Sequence, residues 1–93
     1  MRLIPEFSEQ AERELDEIAT FLVRNAPRFA MDFADAFDAA ILRLSDFPES
    51  GIAVADDQRL TWIAATGYVV IYSVHENRLV IVSVKHSSRR SDD

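Results

Sequence analysis

The sequence predicts an α+β fold: a short N-terminal strand, an antiparallel helical hairpin, and a C-terminal three-stranded antiparallel sheet on which the hairpin packs, in the order β-α-α-β-β-β. Three observations predict it. Apolar residues recur twice at helical spacing in the first half, and β-branched and aromatic residues crowd the second half in short runs. The charge also divides at the same boundary. Residues 1 to 57 carry thirteen acids and five arginines, net −8, whereas residues 58 to 93 carry three acids and five bases, net +2.

The opening stretch Leu3-Ile4-Pro5-Glu6-Phe7 reads as a short strand, and Pro5, which lacks a ladder donor, favours an edge position. Ser8 suits a helix N-cap because its hydroxyl can accept from a free first-turn N–H, although Ala11 leaves the capping box incomplete. Ala11, Leu15, Ile18, Ala19 and Leu22 then form one apolar stripe, with Glu9, Glu12, Arg13, Asp16 and Glu17 mostly opposite it. Asn25-Ala26-Pro27 interrupts this helix, since proline restricts the residue before it yet is comfortable at the first position of the next helix. The second helix carries Ala30, Phe33, Phe37, Ala40, Ile41 and Leu44 on one side and ends before Pro48-Glu49-Ser50-Gly51. So short a link makes the two helices antiparallel neighbours.

Ala55-Asp56-Asp57-Gln58 reads as loop, Arg59 to Ala65 as a strand, and Thr66-Gly67 as a turn. Tyr68 to Val74 and Leu79 to Lys85 form a hairpin around His75-Glu76-Asn77-Arg78. With an odd-numbered loop, Val70, Tyr72, Val74, Val80, Val82 and Val84 share one face, while Val69, Ile71, Ser73, Leu79, Ile81, Ser83 and Lys85 share the other. The odd register keeps Ser83 and Lys85 out of the core, so the valine face is expected to carry the helices. The other face is too apolar to be bare in so small a protein, and a partner is expected to cover it.

Size and composition narrow the function. Ninety-three residues make one domain, and the lack of cysteine removes disulfides, thiolate metal sites and thiol nucleophiles. No apolar run reaches membrane-span length and no signal-peptide pattern opens the chain, so a cytoplasmic location without membrane association is expected. Net charge −6 argues against general or sequence-specific nucleic-acid binding, because phosphate affinity comes chiefly from Lys and Arg. The carboxylates Glu9, Glu12, Asp16 and Glu17 of the first helix lie opposite its stripe and read as a solvated face, with no histidine at helical spacing to complete a metal site. No glycine-rich phosphate loop is present, and no metal or other cofactor is expected.

Taken in order, Ser8-x-x-Ala11-x-x-x-Leu15-x-x-Ile18, then Phe33, Ile41 and Leu44, then Pro48 and Gly51, then Arg59, then Tyr68-Val-Val-Ile-Tyr72-x-Val74, then the Ile81 to Val84 strand closing in His86-x-x-Arg89-Arg90, resemble the ParE/RelE superfamily of toxins from bacterial type II toxin–antitoxin systems. The resemblance covers nearly the whole chain. It implies neutralisation by a cognate ParD-like antitoxin whose tail folds along the toxin, lies against the helical hairpin and the sheet's less uniform face, and can add a strand at a sheet edge. It implies one of two activities: RelE-like cutting of ribosome-bound mRNA, or ParE-like poisoning of DNA gyrase. A decayed member that only binds its antitoxin is a further alternative. The sequence departs from the family where Ser73 and Ser83 stand at positions often occupied by arginine.

RNA cleavage needs a base, an acid and cations around the phosphorane, and this chain offers only Arg59, Lys85 and His86 for them. The ParE-like reading therefore ranks above the nuclease, which makes the protein an inhibitor rather than an enzyme. Arg59, His86, Arg89 and Arg90 are the expected target-contact residues, and Trp62, Val69, Ile71 and Ile81 the expected antitoxin-contact residues. Each has a plainer alternative. Arg59 could be an ion-pair partner of the acidic helices, His86 a surface histidine, Arg89 and Arg90 a solvated tail, and Trp62 a core anchor.

Overall fold

The computed structural model describes residues 2–89, so Arg90 lies outside the described residues. In chain order the elements are β1 (Ile4–Phe7), α1 (Glu9–Asn25), α2 (Pro27–Asp46), a single 3-10 turn (Pro48–Ser50), β2 (Ile52–Ala55), β3 (Gln58–Ile63), β4 (Tyr68–His75), β5 (Arg78–His86) and a terminal 3-10 turn (Ser87–Arg89). The strands form one sheet in the order β1-β5-β4-β3-β2. Only β1 against β5 is parallel; the other neighbours are antiparallel.

The α+β architecture matches the sequence reading, with two additions to the sheet. The N-terminal strand joins it beside β5, and Ile52–Ala55, for which the pattern predicts no element, supplies the opposite edge. Four residues diluted by two alanines give no readable alternation, which is why β2 escaped the pattern. No helix among the described residues is long and apolar enough to cross a membrane.

Ser8 caps α1 as expected, its Oγ accepting the Ala11 N–H at 3.0 Å. It also ties the helix to the sheet: its own N–H donates to Ile81 O at 3.0 Å and its hydroxyl to Val82 O at 2.9 Å. Pro27 starts α2, which presents buried Phe33, Phe37, Ile41 and Leu44 to the sheet. The Phe33 ring meets Tyr68 edge-on at 5.1 Å between centroids, and Phe37 lies 6.1 Å from both Phe33 and Phe7. Aromatic contacts of this geometry add to the burial of large apolar area.

The hairpin register differs from the expected one. His75 pairs with Arg78, so the loop is the two residues Glu76 and Asn77, with Glu76 at φ 57. That turn puts Leu79 opposite Val74 and Ile81 opposite Tyr72, on the helix side, and both are fully buried. A straight strand would next bring Ser83 to that side. Instead β5 contains one extra residue, Val82, before Ser83 pairs with Ile71 and Val84 with Val70. This bulge returns Val84 to the helix side and leaves Ser83 and Lys85 off it. The expected all-valine face is thus replaced by Tyr68, Val70, Tyr72, Leu79, Ile81 and Val84 in the core. The sequence argument kept Ser83 and Lys85 out of the core face of the sheet by a longer loop, where the chain uses a bulge.

Tyr72 fixes the link between α2 and β2. From the centre of the sheet its hydroxyl donates to Pro48 O at 2.7 Å and accepts the Gly51 N–H at 3.0 Å. Gly51 is needed for close approach, since a Cβ there would collide with that hydroxyl and stand 2.8 Å from Leu60 O. Burial pushes the Tyr72 phenol above its ordinary pKa of 10.0, partly offset by the Gly51 N–H and the charges of Arg59 and Arg43. Tyr72→Phe leaves both main-chain groups without this partner, and urea unfolding is expected to register a loss of about 1–3 kcal/mol. Because the phenol's pKa is raised on folding, its contribution is intact below pH 10.0 and declines as pH rises through the folded value. The wild type should therefore lose stability faster than Tyr72→Phe in alkali, and parallel pH profiles for the two would contradict this role.

Candidate functional site

The sheet has one face under the helices and one open face, and the two carry different chemistry. Cross-strand pairing places Trp62 opposite Val69 and Val69 opposite Lys85, all on the open face, with Leu60, Ile71 and Ser83 in the next row. Trp62 is 49% exposed and Ile71 is half-buried. Val69 is fully buried between its two larger neighbours, so it forms the floor of this patch rather than its surface. Ile81 does not belong to it. The two-residue turn carries Ile81 into the helix-side core, where it has no exposed side chain to offer a partner.

At the two positions where the sequence departs from the family pattern, 73 and 83, the serines have side-chain partners. Ser73 Oγ lies 3.2 Å from His75 Nε2. Ser83 Oγ donates to Glu14 Oε1 at 2.9 Å, and the same oxygen accepts the Val84 N–H at 2.9 Å. β1 pairs only with residues 78–81 of β5, so beyond that point the outer edge of β5 is taken by α1 instead, with Ser8 on Val82 O and Glu14 on Val84 N–H. Sequence reasoning passed over Glu14. It lies three residues after Ala11 and four before Ile18, within the buried stripe rather than opposite it, and that phase marks a carboxylate turned toward the protein.

Arg59 and His86 both project to the helix side, but at opposite ends of it. Arg59 pairs with Tyr72 and His86 with Tyr68, four residues apart on β4, a separation of about 13 Å. Arg59 Nη1 donates to Gly51 O at 2.8 Å and reaches Glu49 O at 3.5 Å. Its partners are thus loop carbonyls rather than the helix carboxylates considered for it. Lys85, next to His86 in the strand, points to the other face. The three residues that a nuclease would need are therefore not brought together.

His86 is exposed, with neighbours on two sides of its ring. Its ring stands edge-on to Tyr68 at 5.1 Å, and its Nε2 faces Gly67, where a Cβ would stand 3.1 Å away and φ is +81°. The Ser88 N–H donates to Nδ1 at 3.2 Å, with Ser88 Oγ 2.8 Å from the same nitrogen. Ser87 N–H donates to Gly67 O at 2.8 Å, closing the clasp between the β3–β4 turn and the C-terminal end. Beside it a groove of about 600 Å³ runs between α1 and β5, lined by Glu17, Ile18, Phe21, Val84 and Lys85 among others. Among the described residues, no group of three or more His, Asp or Glu is placed to hold a metal ion.

The fold is a helical hairpin over a five-stranded mixed sheet whose open face carries Trp62 and Ile71. The model of the family described as "ParE toxin of type II toxin-antitoxin system, parDE" matches residues 6–91, and the chain belongs to that family. A solved structure titled "Chromosomal ParDE TA system from P. aeruginosa" is similar in fold, with TM-score 0.76 at 13% identity, over 91% of this chain and 96% of that one. No curated protein matches the chain.

The role of Glu14 is directly measurable. Glu14→Ala frees the Val84 N–H and the Ser83 hydroxyl at the β5 edge, and a stability loss of about 1–3 kcal/mol is expected in urea. Hydrogen exchange at Val84 should quicken selectively. Glu14→Gln keeps an acceptor and should recover much of the loss; equal losses in both variants would mean that the contact with Val84 contributes little.

Proposed function

We propose that the protein is the toxin of a type II toxin–antitoxin pair, neutralised by a cognate ParD-like antitoxin, and that it acts by inhibiting DNA gyrase rather than by cutting mRNA. Membership of the ParE family supports the toxin role. The observation that carries the choice of mechanism is the dispersal of Arg59, Lys85 and His86: two face the helices from strands on either side of β4, offset by about 13 Å along it, and the third faces away. Phosphoryl transfer needs its acid, base and cations within reach of one phosphate. Arg59 Nη1 donates to Gly51 O and His86 Nδ1 accepts the Ser88 N–H.

The antitoxin reading rests on the open face. Trp62 and Ile71 are accessible there over the buried floor of Val69, an arrangement in which a partner's apolar side chains would displace water from a contiguous patch. Target contact is assigned to the basic C-terminal end, Arg89 and Arg90, with His86 as the residue that anchors that end to the sheet rather than a direct contact.

The test is expression without antitoxin. Loss of colony formation with induction of the DNA-damage response is expected, and Arg89→Ala combined with Arg90→Ala should restore growth while leaving co-purification with the antitoxin intact. These substitutions spare Ser87 and Ser88, which hold the end in place. Translation arrest with cleaved mRNA would establish the nuclease instead, and the absence of any phenotype would establish a decayed toxin. A fully toxic double variant would remove the tail from the mechanism.

A further inference from the structure

The C-terminal end of β5 is tied to the sheet through a titratable side chain. His86 closes the β4–β5 ladder opposite Tyr68, and the turn Ser87–Arg89 follows it at once. The Ser87 N–H of that turn donates to Gly67 O at 2.8 Å, and the Ser88 N–H donates to His86 Nδ1 at 3.2 Å, with Ser88 Oγ 2.8 Å from the same nitrogen. The ring itself is placed by Tyr68, edge-on at 5.1 Å, and by Gly67, whose φ of +81° and missing Cβ leave room for Nε2. Glu14 and Glu17 of α1 and Lys85 of β5 line the groove beside the ring, and Arg89 is the charged residue of the turn. Among the described residues no carboxylate forms an ion pair with the ring.

We propose that His86 is a proton-operated latch on the C-terminal end, closed while Nδ1 is free to accept the Ser88 N–H and open once that nitrogen carries a proton. A ring nitrogen accepts through its lone pair, and in the imidazolium both nitrogens are donors. A proton on Nδ1 would meet the Ser88 N–H donor to donor across 3.2 Å, and the Ser88 hydroxyl could stay only by accepting. The main chain at Ser88 must then move off the ring. Ser87 donates to a carbonyl, which does not titrate, so it keeps its bond and confines the release to the residues beyond it. Histidine is the side chain that ordinarily changes charge between about pH 5 and 8, so the latch opens as pH falls and closes as it rises. Where the C-terminal end is the target-contacting element proposed above, its presentation becomes pH-dependent; the latch itself rests on the contacts of His86 and not on that reading.

The experiment is a pH titration of the full chain by NMR that follows the His86 ring protons together with the Ser87 and Ser88 amides. The Ser88 amide shift should move with the same midpoint as the His86 ring, and its protection, corrected for intrinsic exchange, should fall by about threefold or more on the acid side. The Ser87 amide should keep its protection. His86→Phe leaves an aromatic ring against Tyr68 but no acceptor, so its Ser88 amide should show the acid-side protection throughout and no titration. His75→Gln, which alters the other histidine of the chain, should leave the Ser88 titration unchanged. A Ser88 amide that ignores the titration of the ring, one that still titrates in His86→Phe as a carboxylate of α1 would cause, one that stops titrating in His75→Gln, or an equal loss of protection at Ser87 would each overturn the proposal.

Discussion

The extra residue in β5 is the constraint on which the rest of the molecule depends. With a two-residue turn and no bulge, β5 would present Leu79, Ile81, Ser83 and Lys85 to the helices, burying a serine and a lysine where Ile18 and Leu22 of α1 approach. By inserting Val82 the strand keeps Leu79 and Ile81 inward near the turn and exchanges Ser83 for Val84 beyond it. The same irregularity turns two successive carbonyls, Ile81 O and Val82 O, toward Ser8, whose N–H and hydroxyl they accept. The start of α1 is thus set by the bulge. Two turns further on, Glu14 meets the next outward N–H, that of Val84.

Function follows from how this frame distributes polar groups. Serine and carboxylate pairs occupy the β5 edge, Tyr72 and Arg59 hold the link around Gly51, and His86 clasps the C-terminal end to Gly67. Of the three residues weighed for catalysis, Arg59 and His86 bond main chain, at Gly51 O and the Ser88 N–H. The accessible apolar groups include Trp62 on the open face and Ile52 and Val54 of β2.

Much of the fold was legible because its signals are local. Ser8, the α1 stripe, Pro27 and the Phe33-Phe37-Ile41-Leu44 stripe of α2 each act within a few residues. The faces of the hairpin were only half legible: valines at 80, 82 and 84 alternate perfectly in sequence, but the turn at Glu76-Asn77 and the bulge at Val82 set their pairing, and neither has a strong one-residue signature. Ile81 was misplaced for that reason. β2 was hidden by its length, and the duties of Arg59 and His86 depend on carbonyls and a glycine distant in sequence. Glu14 was the legible residue that was missed, since its helical phase already separated it from the solvated acids.

The bulge can be measured in solution through the wide, non-hydrogen-bonded pairs of the hairpin, where facing Cα atoms approach to about 4.5 Å and their Hα protons give strong cross-strand NOEs. Ile81 O and Val84 N both point away from β4, which marks Tyr72–Ile81 and Val70–Val84 as such pairs. The account predicts Hα–Hα NOEs for both. Tyr72–Val82 together with Val70–Val84 would mean a longer loop and an unbroken valine face, and Tyr72–Ile81 together with Val70–Ser83 would mean a strand without the bulge; either result would contradict it.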